Sequence, residues 1–456
     1  MKFDAIVIGS GQAGNPLAAS LAKNGKKVAI VEKGKFGGTC VNTGCTPTKS
    51  YIASARRAFV TKNSLNHGVE VQGDIKINLD QIKKRKDEII GESRTGIEKM
   101  LNENEHITIY RGTAKFKDNH SLEVNGEMIS AERIFINTGA RPRIPKVFKD
   151  IAYLTHETML ELEEIPEHLI IVGGGYIGLE FAQMFSRFGS KVSIIDHGSR
   201  LMKQEDKDIS EAIKKILEKE AIQIYFNAEV ISAEASANKA EISIKTNGSE
   251  EKIEGTHLLV ATGRIPNTHN LGIENTDIQL DEKGYIKVNE ELQTSVPHIW
   301  ALGDCNGEGA FTHTSFNDFQ IVNDHLFGSK KRKLSDRFTC YAAYTDPPLA
   351  RVGMNKAIIK EKGLKAKIAS MPMSKVARAK EMGETDGIMK IYIEAETDKI
   401  LGASFLGTGA DEYIHAIIDA MYAGTPYTTI RNAVHIHPTV SELIPTMLES
   451  PEELEL

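Results

Sequence analysis

Apolar positions near the start of the chain follow two rhythms in quick succession. Residues 3–8 form a short apolar run, a glycine-rich turn follows at once, and an Ala/Leu-rich stretch with helical spacing continues to Leu21. A second apolar run, residues 27–31, ends in Glu32. Unbroken apolar runs of this length fit strands buried on both faces, and apolar residues three and four apart fit a helix laid over them. The pattern therefore predicts strand, tight turn, helix, strand. It returns at residues 169–172, with another glycine turn, a helix through Phe188, a strand over 191–195 and then Asp196. Later, residues 299–304 read as a short strand ending in Gly303 and Asp304. Residues 341–352 are apolar around a Pro347-Pro348 break, 388–393 and 400–406 read as strands, and 412–423 read as a helix.

The turns carry chemistry. Gly9, Gly11 and Gly14 allow a backbone to approach a pyrophosphate closely, while the following helix N-terminus offers free N–H groups and a positive dipole end. Glu32 stands 18 residues beyond Gly14, where a carboxylate accepts hydrogen bonds from ribose hydroxyls. Gly173, Gly175 and Gly178 repeat the arrangement, and Asp196 again follows by 18 residues. One dinucleotide needs one such fold, so two imply two cofactors, FAD and NAD(H) or NADP(H). Asp196 would bond a ribose 2′-OH and repel a 2′-phosphate, which favours NADH, although His197 and Arg200 follow and could neutralise that phosphate. Beyond each fold lies an Asn/Ala-Thr-Gly element, Asn137-Thr138-Gly139 and Ala261-Thr262-Gly263, read as chain crossings between domains. The expected class is α/β, with two Rossmann-like dinucleotide-binding domains and a C-terminal α+β domain.

Composition narrows the rest. A chain of 456 residues suggests roughly three domains, and 41% hydrophobic with 26% charged residues is ordinary globular composition. A formal charge of −6 provides no basic surplus for nucleic acid, so the Lys330 to Lys333 cluster reads as a solvated linker loop. No run approaches the ~20 apolar residues of a membrane helix, and Asp4 interrupts the first apolar run, unlike a secretory leader, so a cytoplasmic enzyme is expected. Four cysteines are too few for a disulfide scaffold, yet Cys40 and Cys45 lie close together. A regular helix would separate them by ~7.5 Å in rise, and a disulfide needs Cα atoms within ~7 Å. If they bond, Cys40 lies on an irregular turn ahead of a helix that starts near Pro47, with Cys45 near the helix N-terminus and Lys49 close by, both favouring thiolate. Two unrelated buried thiols are the alternative. Cys305 and Cys340 are isolated and read as structural.

The block Gly37-Gly38-Thr39-Cys40, Asn42, Gly44-Cys45, Pro47 and Lys49, the two glycine folds, Gly303-Asp304, and His437-Pro438-Thr439 with Glu442 together resemble the pyridine nucleotide-disulfide oxidoreductases, the family of dihydrolipoamide dehydrogenase, glutathione reductase and mercuric reductase. The resemblance covers essentially the whole chain and is greatest to the mercuric-reductase-like branch. It implies a Cys40–Cys45 redox disulfide in which Cys45 faces the flavin and Cys40 meets the acceptor. Lys49 and Glu180 would pair near the flavin N5, Tyr176 would cover the nicotinamide side, and His437, oriented by Glu442, would be the general acid/base. His435 would be a bystander. FAD would lie against Gly9, Gly11, Gly14, Glu32, Lys33, Gly38, Thr39, Thr138, Gly139, Gly303 and Asp304, and the nicotinamide nucleotide against Gly173, Gly175, Tyr176, Gly178, Asp196 and Gly263.

Residues 1–146 and 266–335 are expected to form the FAD domain, 147–265 the NAD(P) domain and 336–456 the interface domain of a homodimer with shared active sites. The tail from Thr446 onward has no cysteine pair, which argues against mercury, and Thr43, Thr46 and Thr48 argue against lipoamide. The expected acceptor is a metal ion such as Hg(II) or Cu(II), or a small disulfide, with no resident metal. Dihydrolipoamide dehydrogenase, a redox-regulated sensor flavoprotein and a flavin-only NADH oxidase are the rival readings.

Overall fold

In the computed structural model, the first apolar run becomes Lys2–Ile8, an inner strand of a seven-stranded sheet. The model describes residues 1–236, 238–246 and 248–455. Sheet order is Ile107–Arg111, Val28–Glu32, Lys2–Ile8, Glu127–Ile136, Ser121–Val124, Ala114–Phe116, with Ile299–Ala301 also paired to Glu127–Ile136. The pairs around Lys2–Ile8 are parallel, aligning Ile6 with Ala29 and with Ile134. Side chains alternate across this sheet, and both faces are covered. Ile6, Ile8, Ala29, Ile134 and Ile299 pack on one face, while Ala5, Val7, Val28, Ile30 and Phe135 pack on the other with Leu17 and Leu21 of the Gly14–Lys23 helix. That double burial is why these strands show no polar alternation.

The chain divides into two units, Met1–Tyr51 with Asp80–Arg143 and Gly263–Arg337, and Ile52–Leu79 with Ile144–Thr262 and Phe338–Leu456. The second unit holds a parallel sheet ordered Gln223–Tyr225, Lys191–Ile195, His168–Val172, His257–Val260. It also holds an antiparallel meander, Glu229–Ser236, Lys239–Thr246 and Ser249–Gly255, and a six-stranded antiparallel sheet in its C-terminal part. Pro347 and Pro348 separate the strands Cys340–Ala343 and Leu349–Gly353, as the apolar pattern suggested. Ile388–Glu394 and Ile400–Leu406 are strands as expected. The helix expected over 412–423 is two short helices, Ala410–Tyr413 and His415–Tyr422, that meet at Ile414, which keeps helical backbone angles and packs into the C-terminal core.

Two polar clusters hold elements within a unit. Asp318, 2% exposed in its side chain, pairs with Arg337 at 2.7 Å and accepts hydrogen bonds from the Gly303 N–H at 2.7 Å and the Asn306 amide at 3.0 Å. Burial raises its carboxyl above the usual range, and Arg337 opposes that rise. The basic cluster is an exposed linker loop, as expected, and two of its side chains also close a helix end. Lys331 Nζ donates to the Asp324 and His325 carbonyls at 3.1 and 2.9 Å, and Arg332 pairs with the Asp324 carboxylate. Cations there complement the carbonyls and negative dipole end of the Thr312–Phe327 helix.

Candidate functional site

The phosphate-type loop after Lys2–Ile8 is shaped by side-chain absence and by one asparagine. A Cβ at Gly14 would lie 2.1 Å from the Gly9 carbonyl oxygen, so only glycine lets the helix seat this close to the strand end. Asn137 Oδ1 accepts from the Gly14 N–H at 3.0 Å, and its amide donates to the Leu302 carbonyl at 2.7 Å. One side chain thereby ties the loop to the strand end that carries Gly303 and Asp304. Asn137 was visible in sequence only as part of a crossing element. Gly14→Ala is expected to yield protein that retains FAD at least about tenfold less well, since overpacking here must move the helix. Flavin absorbance of the purified variant measures it.

The two strand-end acids perform the same local task. Glu32 accepts from the Ser10 N–H at 2.8 Å and the Gly34 N–H at 2.7 Å, one bond to each oxygen. Asp196 accepts from the Gly174 N–H at 2.5 Å and the Gly198 N–H at 2.6 Å in the same way. Each carboxylate thus braces its glycine turn and keeps lone pairs for a sugar hydroxyl. His197 lies 3.9 Å from Asp196, while Arg200 donates to the Lys203 carbonyl. Gly175 caps the Tyr176–Phe188 helix, and a Cβ there would meet nothing within 4 Å.

The Tyr176–Phe188 helix is fastened along one face. Glu180 accepts from the Tyr344 N–H at 2.8 Å, Gln183 bonds both the N–H and the carbonyl of Asp346, and Arg187 pairs with Asp346 at 2.5 Å and Glu220 at 2.8 Å. Positions 180, 183 and 187 share that face by helical spacing.

FAD has fitting residues in the first unit. Asp304 is buried, which raises its carboxyl, with Arg264 at 3.4 Å opposing the rise. Arg264 also donates to the Ala140 carbonyl, and its Nε is buried with no partner among the described residues, a donor left for an absent group. Gly139 and Gly263 flank the two-stranded pairing of Ala140–Pro142 with Arg264–Pro266. Lys33 is exposed beside Glu32, and Thr138 is half-buried. Cys305 is wholly buried, its thiol pushed up to about 12 by desolvation and donating to the Leu302 carbonyl. Cys340 is half-buried on a strand.

Cys40 is half-buried and Cys45 exposed. Cys40 lies in a five-residue helix, Gly38–Asn42, rather than on an irregular turn, and the next helix starts at Cys45 rather than near Pro47. The break falls at Thr43 and Gly44, whose N–H groups both bond the Thr39 carbonyl, at 2.9 and 2.6 Å. Pro47 is then in the first turn, where its missing N–H is harmless. Gly38 adopts φ +62°, and a Cβ there would lie 2.9 Å from the Gly11 Cα, so the cysteine segment presses directly on the phosphate-type loop. The thiols share a hydrogen bond, and that bond, followed by burial, raises the Cys40 thiol, while Thr312 and Lys49 oppose the rise. Cys45 Sγ stands 3.3 Å from Thr312 Oγ1. Thr312 carried no signal in sequence.

His437 Nδ1 is 2.8 Å from Glu442 Oε2, with side chains 76% and 10% exposed, so an anchored acid holds an outward-facing imidazole. Val434 and Ile436 are 100% and 79% exposed beside it. His435 Nδ1 bonds the Ser441 carbonyl. Among the described residues, no helix is long and apolar enough to cross a membrane and no group of three or more His, Cys, Asp or Glu side chains forms a metal site.

Two glycine-turn folds, a thiol pair pressed on the first, and a C-terminal antiparallel domain define a two-dinucleotide flavoprotein reductase. The chain belongs to the pyridine nucleotide-disulphide oxidoreductase family, whose model matches residues 3–318, and the dimerisation domain of that family matches residues 339–448. It is 36% identical over 451 residues to the probable pyridine nucleotide-disulfide oxidoreductase RclA of Escherichia coli, with 97% of each chain covered. It is 34% identical to a mercuric reductase of Staphylococcus aureus, covering 96% of this chain and 81% of that one, and 31% identical to a dihydrolipoyl dehydrogenase of Mycoplasma pneumoniae, covering 97% of each. Its structure resembles that of the HOCl-induced flavoprotein disulfide reductase RclA from Escherichia coli, with a TM-score of 0.87 at 35% identity, covering 97% of this chain and 98% of that one. For a Cu(II) complex of that protein the TM-score is 0.88 at 35% identity, covering 98% and 99%. The chain is accordingly an NAD(P)H-dependent FAD flavoprotein reductase.

Proposed function

We propose that this enzyme takes reducing equivalents from NADH and delivers them through a Cys40–Cys45 redox pair to a small acceptor that a dithiol reduces, either a thiophilic metal ion such as Cu(II) or Hg(II) or a small disulfide. The observation that carries this reading is the pair itself, two hydrogen-bonded thiols set by Gly38 against a phosphate-type loop. FAD, held by residues 1–146 and 266–335, supplies two-electron exchange between nicotinamide and disulfide. Gly9, Gly11, Gly14, Glu32 and Asp304 bind and orient it. Residues 147–265 would bind the nicotinamide nucleotide through Gly173, Gly175, Gly178 and Asp196. Two electrons and one proton convert the disulfide to the Cys40 thiol and the Cys45 thiolate.

His437 moves the protons. With Nδ1 engaged by Glu442, Nε2 is the nitrogen that gives or takes one. The imidazole is exposed beside two bare apolar side chains within the residues matched by the dimerisation domain, which supports a homodimer whose partner receives this histidine.

The acceptor likenesses come from relatives named for mercury, for dihydrolipoyl groups and for a Cu(II) complex. A steady-state screen of the purified enzyme with NADH and NADPH against Cu(II), Hg(II), lipoamide, glutathione disulfide and oxygen tests the reading. Turnover with one of the first four is expected, and turnover with oxygen alone would make this a flavin-only oxidase. Because Asp196 presents a carboxylate where a 2′-phosphate would sit, kcat/KM is expected to be at least about tenfold higher for NADH. A higher value for NADPH would show that His197 or Arg200 overrides Asp196.

A further inference from the structure

A hydroxyl within hydrogen-bond distance of the thiol pair comes from a distant part of the sequence. Thr312 Oγ1 is 3.3 Å from Cys45 Sγ. Thr312 opens the Thr312–Phe327 helix as Cys45 opens the Cys45–Lys62 helix, so two helix N-termini meet at one sulfur. Each contributes partial positive charge there, and negative charge on that sulfur is favoured from both sides. The hydroxyl can also place a directed hydrogen on the sulfur without titrating near neutral pH.

We propose that Thr312 is a positioning residue of the redox pair, donating its hydroxyl hydrogen bond to the sulfur that bears the single negative charge after reduction. The inference rests on the reading of Cys40 and Cys45 as the redox centre. The hydroxyl donates without transferring its proton: reduction of the disulfide by two electrons takes up one proton, the thiol keeps it, and Thr312 and Lys49 stabilise the thiolate. Ionisable groups in these elements are the other thiol on the Gly38–Asn42 helix, Lys49 one turn along the Cys45 helix, and His313, which follows Thr312 in sequence and stacks its ring on Phe311. In the proposed dimer, His437 of the second copy joins them.

The test compares Thr312→Val, which keeps the shape and removes the hydroxyl, with Thr312→Ser, which keeps the hydroxyl. Reduced holoenzyme is alkylated with iodoacetamide across pH, and modification of Cys40 and Cys45 is followed by peptide mass. All chains also carry His437→Gln, so that the imidazole does not shape the profile. Because the thiols ionise as a pair, the midpoint belongs to the pair. A hydrogen bond to a charged group changes an ionisation by roughly tenfold, so Thr312→Val should raise the midpoint by about one pH unit and Thr312→Ser should restore it. Coincident profiles for Thr312→Val and the Thr312 parent, with a parent midpoint below that of an ordinary thiol, overturn the role of Thr312 alone. A parent midpoint at the ordinary thiol value overturns the activated redox pair as well.

Discussion

Cys45→Ser is expected to abolish acceptor reduction by NADH, by on the order of 10³-fold or more, while the purified protein keeps its FAD. A serine cannot form the disulfide that stores the electron pair, and Cys40 alone cannot pass two electrons to an acceptor. Flavin retention should survive because the loop contacts that shape the phosphate site, Asn137 to Gly14 and Glu32 to Ser10, do not involve the thiol. The measurement is steady-state turnover with the best acceptor beside the flavin spectrum of the same preparation. If turnover persists at the parent rate, electrons leave from the flavin and the thiol pair is not on the path.

The second large effect concerns assembly. His437→Ala should lower acceptor reduction by about 10²–10⁴-fold, the usual range for a lost general acid/base. When Cys45→Ser and His437→Ala chains are co-expressed and the heterodimer is isolated, activity should return to about half that of the parent dimer. Shared sites place both lesions in one site and leave the other with an intact Cys45 and an intact His437. The exposed setting of His437, directly after Ile436 and three residues past Val434, is the basis for this expectation. Absence of recovery in a confirmed, flavin-loaded heterodimer would mean that each site is built within one chain.

Much of the candidate site was legible because it is local. The glycine turns, the strand-end acids and the His437–Glu442 pair each depend on residues close in sequence, whose spacing decides a turn or a helical register before any packing. Glu32 finds Ser10 and Gly34, and Asp196 finds Gly174 and Gly198, by the same strand–turn–helix geometry. The start of the helix at Cys45 was less legible. Pro47 suggested a first helical position, yet proline is tolerated anywhere in the first turn, and the Thr39 carbonyl capturing the Thr43 and Gly44 N–H groups moved the break earlier. The basic cluster after the Thr312–Phe327 helix is exposed as read, but charge alone does not reveal that carbonyls at a helix end will meet it.

Sequence by itself determined the class of protein, its two dinucleotide folds and the identity of the thiol pair, since these are written in short motifs whose backbone geometry is set locally. Tertiary structure alone decided what surrounds those motifs. Asn137 reaches Gly14 across a parallel sheet register, Arg264 reaches Asp304 through a returning segment, and Thr312 reaches Cys45 from 267 residues away. Such contacts depend on which strands pair and which helix ends converge, a property of the packed core that no local pattern of side chains encodes.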